Sequence, residues 1–385
     1  ASLVVGKGVD SIPGLFVMRC PLLTDIVVLG TIQAFDPTAF DSADASGMVV
    51  RVSTKAQQTL WTEANDANGF GLDPANIVVA GELCTVRFEP SNGEFSAFER
   101  FVEKGTPLSE PAAPARDGFG LAGWHVQDIS GPRWSFSSAV EQDMTLVAEW
   151  IEDAQEGNLV YRMRSDGESV SVAAADPSAV PESLDIPASV ELAGRNYPVR
   201  EIASYGFAFA KELASVRGPS SVGVLDVRAF KDCQALTEIV FGVGSSLGII
   251  EADAFENCTA LKALSLPASL VNISRAAFGG CTELEALEFE QGSSLRIIQS
   301  AAFVGCSKLA AVNFPDSLET IYDVAFSSCS SLRSVGFSTG LKMIGANSFN
   351  GSGLESVSLP EGLTKLESGA FGSCKSMKSV ELNLS

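Results

Sequence analysis

Histidine is almost absent. His125 is the single copy in 385 residues. A site built on two histidines is thereby excluded, which removes the common zinc enzymes and leaves little imidazole acid–base chemistry. Cations are scarce too: Lys and Arg number 26 against 47 Asp and Glu, a net charge of −21. Such a surface repels phosphate backbones and anionic lipid, so nucleic acid and membrane surfaces are not expected partners. No run approaches about 18 uninterrupted apolar residues, so no transmembrane helix is expected. The most apolar early stretch, Leu15 to Gly30, is broken by Arg19 and Asp25, and no signal-peptide pattern precedes it. No Cys-x-x-Cys occurs among the eight cysteines, so structural zinc has no local support. The glycine-rich segments Gly242-Val-Gly244 and Gly279-Gly280 lack a P-loop lysine and read as turns. No Ser/His/Asp or Cys/His set can be assembled beyond His125 itself. These absences point away from an enzyme, and no cofactor is expected.

What is present is a repeat. Apolar residues make up 46% of the chain, enough for a sizeable core, and 385 residues suggest two or three domains. Through the C-terminal half, Phe is followed three residues later by Cys, then Leu, then an aliphatic residue. Clear copies are Phe230-Cys233-Leu236-Ile239, Phe255-Cys258-Leu261-Leu264, Phe278-Cys281-Leu284-Leu287, Phe303-Cys306-Leu309-Val312 and Phe326-Cys329-Leu332-Val335. Phe371-Cys374-Met377-Val380 closes the series, Phe207-Ala210-Leu213-Val216 opens it, and Phe349 begins a shortened copy with Ser352, Leu354 and Val357. The phenylalanines lie 23, 25, 23, 25, 23, 23 and 22 residues apart. Both 25-residue spacings carry a Gly-Ser-Ser-Leu loop, at Gly244 and at Gly292. Ile stands five residues before most of these phenylalanines.

A unit of this length cannot enclose its own core, so stacked units must share one. Segments such as Leu309 to Phe314 alternate like a short strand, and Pro267, Pro315 and Pro360 end three of them. The expected fold is a solenoid of short parallel strands with turns or helical turns opposite, rich in β-structure. The parallel strands are expected to form one continuous sheet across all the coils. The cysteines read as a ladder of buried thiols, although the spacing of coils also permits disulfides between rungs.

These units resemble the leucine-rich repeats of BspA-like proteins, over about Leu184 to Leu384. Leu184 to Val190 and Tyr197 to Val199 resemble the coil that opens such arrays. The start of the chain carries the same spacing in Val17-Cys20-Leu23-Ile26 and Phe40-Ala43, and Ser53 to Trp61 reads as an amphipathic helix closing that array. Residues 82–152 lack the period. Their Arg116-Asp-Gly118-Phe119, Gly123-Trp124 and Thr145-Leu146-Val-Ala148-Glu-Trp150 resemble the internalin B-repeat of the Listeria–Bacteroides type, which implies a small β-grasp-like module. Trp124, Trp134 and Trp150 are its expected core, and Pro107 to Pro114 a rigid loop. The expected organisation is thus 1–81, the end of an upstream repeat array with its cap; 82–152, the B-repeat module; and 153–385, the main array with its N-terminal cap. The chain reads as a piece of a longer protein.

The resemblance implies a non-catalytic surface or secreted protein that binds a host or microbial protein or glycan. A structural spacer that displays another domain is the alternative. The candidate contact surface is the outward side of the strands, with Glu238, Ser265, Glu288, Asn313, Ser358 and Glu381 among its residues. That face reads as flat, small and mildly acidic, without aromatic or arginine anchors. Asp41, Asp44 and Glu152-Asp153 could chelate calcium weakly, but solvated acidic surface is the preferred reading. No metal site is expected.

Overall fold

The fold is taken from a computed structural model, which describes the chain apart from residues 1, 6–8, 10, 14–15, 17–22, 24, 30–31, 41–44, 46, 53–54, 80–82, 91–95, 113–115 and 383–385. Val17, Cys20, Asp41, Ala43 and Asp44 lie outside the described residues. Two compact units result: residues 1–114 with 123–149, and residues 115–122 with 150–385.

In the second unit the 23-residue period becomes a coil with two strands. One row holds the Leu and Val positions, in strands such as Ala263–Leu266, Ala286–Phe289 and Ala311–Asn313. The other row holds the Ile positions, in two-residue strands from Val224–Leu225 to Lys365–Leu366. These join the strands from Ala154–Glu156 to Arg195–Ile202 in one 12-stranded sheet. Ile250, Ile273, Ile298 and Ile321 all point inward and are buried. The start of the array is closed by an antiparallel meander, Ala154–Glu156, Leu159–Met163 and Val170–Ala174, whose last strand pairs in parallel with Arg195–Ile202.

Between the rows runs the phenylalanine turn. Consecutive rings from Phe207 to Phe371 stack at 5.0 to 5.6 Å between centroids. Residues two before and two after each phenylalanine hold positive φ, for example Asp253 and Asn257, or Val324 (φ 53°) and Ser328. A left-handed conformation is costly for a β-branched residue such as Val324. The turns recover that cost by bonding along the stack. Phe230 N–H donates to Ala254 C=O at 2.7 Å, Phe255 to Ala277 at 2.7 Å and Phe303 to Ala325 at 2.8 Å.

The expected continuous strand face is not observed. The long strands fall into three separate sheets: Ser183–Asp185 with Ser215–Gly218 and Glu238–Phe241; the four strands from Ala263–Leu266 to Ser334–Gly336; and Ser356–Leu359 with Ser379–Leu382. Coil length explains the breaks. Ile239 and Leu264 are 25 residues apart, and their strands do not pair. Leu287 and Val312 are also 25 apart, and pairing shrinks to Ala286 with Ala311. Val335 and Val357 are 22 apart, and their strands do not pair. Spacings of 23 give three or four paired residues, as for Ala263–Leu266 with Ala286–Phe289. A coil two residues longer on one side shifts its strand against its neighbour and leaves one paired residue or none, and a shortened coil does the same from the other direction.

In the first unit, Ser2–Val5, Asp25–Val28, Val49–Val52 and Ile77–Val79 form a parallel sheet in that order. The helix Lys55–Asn68 lies between the last two strands, so it does not end the sheet. It buries Trp61 against Phe35, with ring centroids 4.9 Å apart. Its buried amides bond in both directions, Gln57 to the backbone of Ile32 and Asn65 to that of Leu72. Residues of the module form a mixed sheet in which Met144–Glu152 runs parallel to Leu83–Glu89, flanked by Phe119–Val126 and Phe98–Glu103. Its core differs from the expected tryptophan trio. Trp124 is buried against Phe88 at 4.9 Å, whereas Trp134 and Trp150 are only half-buried. Thr106–Pro107 pairs with Ala139–Val140, so the loop expected from Pro107 begins after it.

Candidate functional site

Alternation along the long strands fixes which side chains reach solvent. Leu264, Leu287, Val312 and Val357 are buried, while Ser265, Glu288, Asn313 and Ser358 are exposed. Glu238 and Glu381 are exposed as well. The six candidate residues therefore all face outward, but not on one sheet. Ser265 and Glu288 are register partners, with Asn313 two strands along the same sheet from Ser265. Ser358 pairs with Glu381 on the last sheet, and Glu238 pairs with Ser215 on the first. Among the described residues, Glu238, Glu288 and Glu381 have no ion-pair partner.

Two openings accompany the breaks. Between Glu238–Phe241 and Ala263–Leu266 lies a cleft of about 620 Å³, open mouth included. Beneath it lies the core itself, with Leu225, Ile250, Phe255 and Phe278 still buried. Glu290 and Ser245 stand at its rim, and the Glu290 carboxylate accepts a hydrogen bond from Ala268 N–H at 3.1 Å. The second break holds a more open recess lined by Val335, Phe337, Ser358 and Pro360, which reaches none of the stacked phenylalanines. The sequence reading missed both openings. Their signal is the uneven spacing, a two-residue insertion at the first and the shortened Phe349 copy at the second.

The thiols show no catalytic environment. Cys233, Cys258, Cys281, Cys306, Cys329 and Cys374 are free and buried, as is Cys84. Each thiol of the array donates to a phenylalanine carbonyl one coil back, for example Cys258 Sγ to Phe230 O at 3.1 Å and Cys306 Sγ to Phe278 O at 3.3 Å. Burial pushes Cys233, Cys281 and Cys329 up to about 12, and Cys258 and Cys306 well above the ordinary thiol range. They are small donors packed inside the stack rather than nucleophiles. His125 is held by Gly131 O at 2.8 Å and Glu149 Oε2 at 2.9 Å. Asp153, a calcium candidate with Glu152, is engaged by Arg162 at 2.6 Å. Among the described residues, no three His, Cys, Asp or Glu side chains gather to hold a metal.

Six copies of the BspA type leucine rich repeat region match residues 200–296 and 288–385. The main array is a BspA-type leucine-rich-repeat region. The Listeria-Bacteroides repeat domain matches residues 85–149. BspA-type families are repeat proteins, typically of surfaces and generally non-catalytic. Two proteins of Evansella cellulosilytica, described as membrane proteins, are 32% identical over 91 residues and 37% identical over 67 residues. Those stretches are 23% and 17% of this chain, and the chain spans about a tenth of the length of either relative. Among the described residues, no helix is long and apolar enough to cross a membrane. Among solved structures, a leucine-rich repeat protein from Bacteroides ovatus is 19% identical, covers 60% of this chain and 76% of its own, and gives a TM-score of 0.40. The leucine-rich-repeat protein of T. pallidum is 23% identical, covers 52% of this chain and 89% of its own, and gives 0.41.

The BspA-type array also carries anchors that its sequence did not suggest. Arg217 is exposed on the first long strand, facing Asp185 at 3.8 Å. Its position directly after Val216 of the first repeat copy was the available signal. Tyr205 and Phe209 are exposed at the left-handed turn positions, and Arg228 lies over the Tyr205 ring at 5.3 Å.

Proposed function

We propose that this chain is a non-catalytic binding protein of the cell surface or the extracellular space. It contacts a host or microbial protein or glycan through the strand face of its BspA-type array. The observation that carries this reading is the outward set of small exposed residues, Ser265, Asn313 and Ser358 among them, at equivalent places on alternate coils. A partner can approach such a surface closely and spread contacts over several units. The carboxylates of Glu238, Glu288 and Glu381 favour a basic partner, and association should weaken as salt rises.

The test captures partners from host-surface proteins and glycans, purifies one, and titrates it. Ser265→Arg, Asn313→Arg and Ser358→Arg are combined in one variant. All three side chains reach solvent, so the fold is retained and affinity should fall about tenfold or more, the loss of roughly 1.4 kcal/mol. Unchanged affinity would move the site to the Listeria-Bacteroides repeat or to the loops at Gly244 and Gly292. A spacer, the rival reading, is supported by the unbroken hydrogen-bonded row of two-residue strands, and it would retain no partner.

A further inference from the structure

We propose that the opening between Glu238–Phe241 and Ala263–Leu266 receives one large apolar side chain of a basic peptide. This deepens the strand-face reading and rests on it. Where the coils are 23 residues apart in the four-stranded sheet, the strands pair over three or four residues. Here the two strands do not pair, and a cleft of about 620 Å³, open mouth included, lies between them, lined by Ile239, Val240, Phe241 and Leu266 above the still-buried Ile250, Phe255 and Phe278. An aromatic side chain set there would meet an apolar lining already in place.

The walls select a peptide over a lipid chain. Each wall strand pairs with its outer neighbour, Ser215–Gly218 on one side and Ala286–Phe289 on the other, and neither pairs inward. Backbone groups that face the opening thus have no ladder partner. A hydrocarbon would cover them without bonding them, which is costly, whereas a peptide brings its own N–H and C=O groups. The rim selects charge. Glu290 lines the opening, Glu238 begins one wall, and Glu288 sits in register with Ser265 of the other. None of the three has an ion-pair partner among the described residues. Arg217, in register with Val240 on the adjoining strand, is engaged by Asp185 at 3.8 Å. A cation beside the inserted side chain is thus the complementary arrangement.

The probe is a fluorescein-labelled peptide, Gly-Lys-Lys-Trp-Lys-Lys-Gly, compared by fluorescence anisotropy with the same peptide carrying Ala for Trp. The Trp peptide should bind about tenfold or more tightly than the Ala peptide, since anchors in desolvated pockets dominate such contacts. Ser265→Trp, which fills the mouth, should bring the Trp peptide down to the Ala peptide. Glu290→Gln should weaken both and flatten their salt dependence. Tyr322→Trp, at an exposed side chain beside the two-residue strand Thr320–Ile321 and off the strand face, should leave both unchanged. Equal binding of the two peptides, or no effect of Ser265→Trp, overturns the pocket. Loss with Asn313→Trp but not with Ser265→Trp overturns the pocket and leaves the strand-face reading standing. Thermal melting checks folding. If Ser265→Trp fails to fold, Val240→Lys on the opposite wall replaces it, at a side chain already 46% exposed, with the same outcomes.

Discussion

At the residue scale, the phenylalanines and cysteines each do one physical job. Phe303 is fully buried and stacks on Phe278 and Phe326 at 5.1 and 5.0 Å. Phe303→Ala removes two ring contacts and opens a cavity that neighbouring coils share. Chemical denaturation should show a loss of about 3–5 kcal/mol, and a loss under about 1 kcal/mol would contradict a load shared along the stack. The thiols give a second expectation. A folded thiol held up to about 12, against an ordinary 9.0, keeps its proton where an unfolded one loses it. Stability from these thiols is thus complete below about 9 and declines as pH rises from there toward 12. A thiol reagent at about pH 8 should label few array cysteines in the native protein and nearly all after denaturation, and fast native labelling would contradict their burial. The sequence made the cysteine positions plain because all share one place in the period. It could not show that each thiol bonds a carbonyl one coil back, since that partner lies 25 to 28 residues away.

At the element scale, coil length governs pairing. The period and the Leu, Phe and Cys positions were legible because each recurs at a fixed offset. The second row of strands was not, because two residues are too few to show alternation. Nor were the breaks, since the two extra residues of each long coil looked like an ordinary loop insertion. Their position can be read from the structure. Leu247 is buried like Leu270, three residues before the Ile of each coil, whereas Val243 is fully exposed. The surplus therefore lies near Val243-Gly244. Deleting those two residues should give a 23-residue coil in which Glu238–Phe241 pairs with Ala263–Leu266. Stability should rise by about 1–3 kcal/mol, the net worth of a few backbone hydrogen bonds. The Trp peptide should lose its advantage at the same time. An unaltered cleft after the deletion would remove coil length as the cause. Ion pairs follow the same coil-to-coil logic. Glu319 is bridged by Arg296 at 2.8 Å and Lys342 at 3.2 Å, and Glu355 by Arg333 at 3.6 Å and Lys378 at 2.7 Å. They are exposed and contribute little to stability each, but they balance acidic charge from one coil to the next.

At the scale of the whole chain, both units bury a core of their own, and among the described residues no three His, Cys, Asp or Glu side chains gather to hold a metal. What distinguishes the BspA-type array is a strand face that pairs over three or four residues where the period is 23 and over one residue or none where it is not. Native-state amide hydrogen exchange tests this most directly. Ala286 N–H donates to Lys262 O of the preceding coil, so Ala286 and Glu288 mark the protected pattern. Ala263 and Ser265 hold the same places one coil earlier, facing the strand that does not pair. The account predicts that Ala263 and Ser265 exchange at least about tenfold faster than Ala286 and Glu288, with Ser356 faster than Ser334 in the same way. Equal protection at all these positions would mean that the sheet is continuous, and would contradict both the coil-length rule and the cleft that depends on it.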